Sequence, residues 1–215
     1  MLKETKLVAI LRGIPVKQAT DIATALYDGG VRVLEFTFDH DDPDCVAHNC
    51  QRIRAVKKIF GDEMVVGCGT ALTVQEVEAS VEAGGQIVIS PNVDVSVIAK
   101  TKALGAISMP GALTPTEIVM AYNAGADIVK LFPAGTLGVP YIKAVRGPLG
   151  YIPMSAVGGV RPETIADFLN VGVCGFGVGG ELVKKEFVRS GDMNALTSRA
   201  RKFVHAIEQW EANRS

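Results

Sequence analysis

The chain has 215 residues, 48% of them hydrophobic, and a formal net charge of −1. A charge this near zero gives no electrostatic footprint for nucleic acid or an anionic membrane, and no apolar run is long enough to span a bilayer. The four cysteines (Cys45, Cys50, Cys68, Cys174) form no C-x-x-C pair and read as reduced thiols. The short charged start Met1-Leu-Lys-Glu-Thr-Lys6 is unlike a signal peptide, so a cytoplasmic location is expected.

An apolar run, a polar or Gly-rich loop, a helical stretch and a Gly-containing stop recur roughly every 20 to 30 residues. The first run, Leu7–Arg12, is followed by Ala19, Ile22, Ala23 and Leu26 at helical spacing, then Gly29-Gly30. Val31–Phe38 and Met64–Thr70 come next, and Thr73 with Glu76 forms a capping box for a helix stopping at Gly84-Gly85. Gln86–Pro91 precedes a helix that Asp94 can cap and that ends near Gly105. Ala106–Pro110 precedes a helix with Thr114 and Glu117 as capping box, Pro115 at its first position and Gly125 at its stop. Asp127–Pro133, Ile152–Val157 and Gly175–Gly179 complete the runs. Pro162 opens a helix ending at Gly172, and Leu196, Ala200, Phe203, Val204, Ile207 and Trp210 stripe the last one.

The runs are rich in Val and Ile and mostly lack polar alternation, as strands buried on both faces do. No Pro/Ser-rich linker divides the chain. Eight such units predict a (β/α)8 TIM barrel forming a single domain over residues 1–215. A doubly wound open sheet is the alternative, but no G-x-G-x-x-G opens the first helix and the strand count favours closure.

In a barrel, polar residues at the C-terminal strand ends form the active site. Lys130 is centred in Asp127-Ile-Val-Lys-Leu-Phe-Pro133, where burial disfavours its charged form and leaves a neutral, nucleophilic amine suited to Schiff-base chemistry. Strand two carries Glu35 and Thr37, strand one ends at Arg12 and strand three at Thr70. Each has an ordinary reading: Glu35 as a structural ion-pair partner of Lys130, Thr70 as a turn cap, Arg12 as a rim charge. Gly158-Gly159 and Gly179-Gly180 follow strands seven and eight, where barrels build a phosphate cradle from backbone N–H groups; glycine also serves tight strand exits. Glu181 is expected to face away and cap a short helix after strand eight.

These residues resemble the 2-keto-3-deoxy-6-phosphogluconate / 4-hydroxy-2-oxoglutarate aldolase family, including its phosphogalactonate branch. The resemblance runs from about Leu7 to about Val183. It rests on Val31-Arg-Val-Leu-Glu35, Gly67-Cys-Gly-Thr-Ala-Leu72, Ile89-Ser-Pro-Asn92, Met109-Pro-Gly111, Thr114-Pro-Thr-Glu-Ile118, Asp127–Pro133, Tyr141-Ile-Lys-Ala144 and Val157-Gly-Gly159. It implies a class I aldolase on a TIM barrel, a homotrimer with no metal and no cofactor. Lys130 then matches the Schiff-base lysine and Glu35 the general acid/base. Thr70 helps hold the pyruvyl carboxylate, with Pro91 and Phe132 shaping the pocket.

The chain also departs from the family. Asp39 stands where gluconate-type members carry an arginine, and Val157 replaces the threonine of their Thr-Gly-Gly turn. Gly180 or Glu181 aligns with a phosphate-contacting serine. The segment before Leu7 looks too short for the leading helix many members use. Arg12 is expected to take over the carboxylate contact from the arginine missing at Asp39. The implied substrate is a 2-keto-3-deoxy-6-phospho sugar acid, cleaved to pyruvate and glyceraldehyde 3-phosphate; 4-hydroxy-2-oxoglutarate is the alternative. A metal-dependent epimerase would need inward histidine and carboxylate ligands, yet His40, His48 and His205 lie outside the strand runs. His40 beside Asp39, Asp41 and Asp42 can bind a cation or form a solvated acidic loop. A phosphosugar-binding barrel without turnover is the non-enzyme reading.

Overall fold

Strands apolar on both faces need helices outside and a filled interior, and the chain supplies both. The computed structural model describes residues 5–214. Its strands are β1 (Leu7–Leu11), β2 (Val33–Thr37), β3 (Val65–Gly69), β4 (Ile87–Ile89), β5 (Ile107–Met109), β6 (Gly111–Ala112), β7 (Val129–Leu131), β8 (Met154–Val157) and β9 (Gly175–Val178). All pairings are parallel, in the order β5-β4-β3-β2-β1-β9-β8-β7-β6. The order begins and ends on one length of chain, because only Pro110 separates β5 from β6. Proline has no N–H for the ladder, so it splits the fifth run in two. Its carbonyl still accepts from the Lys130 amide at 2.8 Å, helping to close the ring. The expected eight-unit TIM barrel is therefore found, with the fifth run continuing past Pro110 to Ala112.

The helices are α1 (Ala19–Asp28), α2 (Cys45–Phe60), α3 (Val74–Glu82), α4 (Val95–Ala103), α5 (Pro115–Asn123), α6 (Ala134–Leu149), α7 (Ile165–Asn170), α8 (Lys185–Ser190) and α9 (Met193–Ala212). Both predicted capping boxes form, Thr73 with Glu76 and Thr114 with Glu117, and Asp94 caps α4 by accepting from the Ser96 and Val97 amides. In α9, Leu196, Ala200, Phe203 and Ile207 are buried, while Val204 and Trp210 are half-buried. Helices α2 and α6 carry weaker signals. Asp44 makes no side-chain cap bond to α2, and Gly138, at φ +74°, interrupts α6. Residues 1–4, including most of the charged start and the segment compared with a leading helix, lie outside the described residues. Among the described residues, no helix is long and apolar enough to cross a membrane.

Two apolar clusters divide the core. The larger lies between the strands and their helices. The smaller comprises Val8, Val33, Ile87, Ile89, Met109 and Val157, with Ile10, Val65, Ile107 and Ile128 against it. These residues come from strands all round the ring, so they form its interior. Strand alternation then fixes what sits next to this plug. Glu35 lies two residues beyond Val33, and Lys130 two beyond Ile128, on the same inward face.

Candidate active site

Glu35 and Lys130 are buried, 2% and 8% exposed, on strands from different parts of the ring. Both inward positions of β3, 67 and 69, are glycines: Gly69 makes room for Glu35, and Gly67 lets β4 approach closely. A Cβ at Gly69 would lie 1.8 Å from Glu35 Oε2, and one at Gly67 would lie 1.8 Å from the Ile87 carbonyl oxygen. Thr37 Oγ1 donates to Glu35 Oε2 at 3.2 Å. Burial pushes the Glu35 carboxyl up to about 7, against the opposing pull of Lys130, Thr37 and Arg12. Burial likewise draws the Lys130 ammonium below the usual lysine value; Glu35 opposes this shift and Arg12 adds to it. No salt bridge within 4 Å joins the two, although each charge acts on the other across the barrel. Lys130 Nζ instead lies 5.0 Å from the centre of the Phe132 ring.

A cavity of about 360 Å³ opens above this pair. Every site residue expected from the sequence lines it: Lys130, Glu35, Arg12, Thr70, Pro91, Phe132, Val157, Gly158, Gly159, Gly179 and Gly180. Thr70 sits in the left-handed region at φ +56°. For a β-branched residue this costs ~1–3 kcal/mol and persists only when neighbours enforce it. The Gly69 carbonyl accepts from the Phe38 amide at 2.8 Å, and the Ala71 amide donates to the Ile89 carbonyl at 3.1 Å, holding both sides of Thr70. Asp39 is exposed and does not line the cavity. Arg12, also exposed, does, and it is the arginine near the buried pair.

At the cavity wall formed by β8 and β9, Gly158 and Gly159 have positive φ, at +89° and +71°. A Cβ on Gly158 would come within 3.3 Å of the Phe132 ring. Among the described residues, the amides of Gly158, Gly159 and Gly180 donate to no protein acceptor. They are free to bind an anion, as such turns do.

Glu181 corrects the sequence reading. No helix opens there: the Leu182 and Val183 amides both donate to the Gly179 carbonyl at 2.8 Å, forming a turn, and α8 has no side-chain cap. The Glu181 carboxylate instead lies 3.4 Å from Arg199 Nη2, and the residue lines the cavity. Ile10, Gly177, Val178, Val160, Val183 and Lys185 also line it and were not singled out in the sequence. Ile10 and Gly177 could have been, since each lies two residues before a residue that was. Lys185, beyond a turn, carried no such signal.

The remaining candidates lie elsewhere. His40 Nε2 is 2.7 Å from Glu76 Oε1, and His48 Nδ1 is 2.7 Å from Asp42 Oδ2; neither histidine lines the cavity. No group of three or more His, Cys, Asp or Glu among the described residues is placed to hold a metal ion. Cys68, on β3, is fully buried, and that burial pushes its thiol up to about 12, far from a reactive thiolate.

Comparison with known proteins agrees with this geometry. The family model for KDPG and KHG aldolases matches residues 1–199. The chain belongs to that family. It is 37% identical over 182 residues to the probable 2-dehydro-3-deoxy-6-phosphogalactonate aldolase of Rhizobium meliloti (strain 1021), covering 84% of this chain and 83% of that one. It is 33% identical over 198 residues to the KHG/KDPG aldolase of Escherichia coli (strain K12), covering 90% and 88%. The native KDPGal structure superposes with a TM-score of 0.86 at 32% identity, covering 96% of each chain. A cube-shaped protein cage, designed by fusing symmetric oligomeric domains, matches with a TM-score of 0.88 at 32% identity, covering 98% of this chain and 75% of that one.

The raised Glu35 value has a measurable consequence. Its carboxyl holds a proton in the folded chain where the unfolded chain, near 4.5, has lost it, so stability falls as pH rises from about 4.5 to about 7. The span corresponds to about 3 kcal/mol. Glu35→Gln should flatten this slope in urea titrations across that window. A carbon NMR titration placing the Glu35 carboxyl near 4.5 would contradict the burial argument.

Proposed function

We propose that this aldolase is a class I lyase that cleaves a 2-keto-3-deoxy-6-phospho sugar acid to pyruvate and glyceraldehyde 3-phosphate, with Lys130 as the Schiff-base amine. The observation that carries this is a buried lysine with no salt bridge among the described residues, lining a cavity shared with Glu35 and with amides that donate to no protein acceptor. Burial also lowers its pKa. Neutral Lys130 attacks the C2 carbonyl. Glu35 supplies the proton with which the carbinolamine loses water, giving an iminium. With the iminium as electron sink, the 4-hydroxyl loses its proton to Glu35 and the C3–C4 bond breaks, its electrons forming the enamine. The aldehyde departs, C3 of the enamine is protonated, and water hydrolyses the resulting imine to pyruvate and free Lys130. A carboxyl near 7 suits both directions of transfer, worth ~10²–10⁴-fold. Arg12 and Thr70 face the substrate carboxylate, Pro91 and Phe132 shape the pyruvyl pocket, and the turns at Val157–Gly159 and Gly179–Gly180 take the phosphate.

Two further parts of the reading concern setting. A homotrimer is supported by a groove between α4 and α5, lined by Val95, Val119 and Met120, in which Val95 is 52% and Met120 44% exposed. Apolar surface of this kind marks interfaces. The near-neutral charge supports a small-molecule partner rather than nucleic acid, and a cytoplasmic location follows from the chemistry of such substrates.

Pyruvate plus borohydride should inactivate the protein and place a reduced adduct on Lys130, and Lys130→Arg should fold but be inactive. Labelling at Lys143, or none, would sink the assignment. The phosphorylated keto-deoxy acid should exceed 4-hydroxy-2-oxoglutarate in kcat/KM by ~10-fold or more, as two added hydrogen bonds to a charged group allow. Equal use of both would make the protein a hydroxy-oxoacid aldolase and the glycine pairs simple strand exits. Light scattering should give three chains per particle, with Met120→Glu shifting the mass toward one; a wild-type monomer would refute the trimer.

A further inference from the structure

The segment after β9 brings two charged side chains, Glu181 and Lys185, to the anion end of the cavity, and they are not equivalent. Glu181 lines the cavity and would repel an anion. It is engaged from behind by α9: Arg199 Nε donates to the Glu181 carbonyl at 2.8 Å, and Nη2 lies 3.4 Å from its carboxylate. The Arg199 guanidinium is itself steadied over Phe203, 5.2 Å from the ring centre, and Phe203 is fully buried in the core. Lys184 lies 3.9 Å from Glu186, whereas Lys185 lines the cavity and has no ion-pair partner among the described residues. Among the described residues, this wall therefore presents Lys185 without an ion-pair partner beside backbone amides that donate to no protein acceptor, while the Glu181 carboxylate is paired from outside by Arg199.

We propose that Lys185 is a specificity-determining residue that contacts the terminal dianion of the substrate, and that Arg199 is a positioning residue that keeps Glu181 from opposing it. This rests on the reading of the cavity as a site for a phosphorylated substrate, and adds residues for which the glycine cradle alone gives no role. A charge-assisted contact from an ammonium adds to what neutral amides supply, because its donor carries a full charge. Removing Arg199 leaves a free carboxylate on the wall of an anion site, and like charges placed together oppose binding. The C-terminal helix thereby acts on substrate choice without touching substrate.

Titration calorimetry of the full chain with glycerol 3-phosphate, a phosphate monoester that cannot undergo the cleavage, tests this independently of turnover. Lys185→Gln should weaken binding by ~10-fold, the scale of one charged hydrogen bond. Arg199→Met should weaken it similarly, and adding Glu181→Gln to that variant should restore most of the loss. A purely structural role for Arg199 would show no such rescue. Lys185 is exposed on a six-residue helix, so its substitution leaves the core intact and decides the role of Lys185. Where Arg199→Met fails to fold, Arg199→Lys, which keeps a charge on α9, should bind nearly as the unmodified chain does, and a loss as large as that of Lys185→Gln would overturn the positioning role. Unchanged binding in Lys185→Gln, or no binding by the unmodified chain, would overturn the proposal. Lys185-dependent binding in a protein that releases no pyruvate from any keto acid would uphold the anion site and overturn the aldolase reading instead.

Discussion

Two ionisable side chains placed inside a barrel, without a salt bridge between them, are the constraint on which the rest of this structure turns. Desolvation pushes each toward its neutral form, lowering the lysine and raising the carboxyl. A salt bridge would oppose both shifts by stabilising the charged forms. The fold avoids that outcome by steric means. Glycine at position 69 opens space on β3 for the Glu35 carboxylate, and Thr37 gives it a neutral donor. Lys130 faces the Phe132 ring instead of an acid. Beside them the apolar plug of Val8, Val33, Ile87 and Met109 fills the barrel interior.

The strands were legible because buried parallel strands leave a blunt record: short Val/Ile runs at even spacing, each followed by polar or glycine punctuation. The site was legible for the same reason. Once Val33 and Ile128 face inward, alternation sends Glu35 and Lys130 inward too, and the barrel supplies their meeting point. Features that depend on three-dimensional detail were not readable. Pro110 reads as the end of a strand, yet its carbonyl carries the ladder across a break. Glu181 reads as a helix cap by charge and position, but whether a helix starts at Gly180 is settled by two amides returning to the Gly179 carbonyl. Arg199, 18 residues further on, reaches Glu181 only through the packing of α9, and no local pattern encodes a contact of that kind.

The departures from the family pattern fall unevenly across the cavity. The reaction end is made by strand interiors, where a change of one residue alters volume, charge or register at once. Its lysine, glutamate and glycines all match the resemblance. The departures at Asp39, Val157 and Gly180 lie at strand ends and turns, which tolerate change because their backbone is held by only a few bonds. Asp39 has left the cavity wall entirely, and Arg12 occupies the mouth.

This division explains how one barrel keeps its chemistry while its substrate changes. Breaking a carbon–carbon bond next to an iminium requires a neutral amine and a proton-sharing acid, and those depend on burial that the whole ring enforces. Recognition of the distal group requires only that donors outnumber acceptors on one wall. On the proposed reading, backbone amides, which need no particular side chain, would do most of that task, and Val157 could then stand in place of a hydroxyl. Side chains then adjust the charge of the wall from outside the ring. Arg199 on α9 is held by Phe203 in the core, which ties this adjustment to the packing of the C-terminal helix. If the turn binds an anion as proposed, substrate preference in this chain would be set in part by a helix that faces away from the cavity, through the Glu181 carboxylate that Arg199 holds.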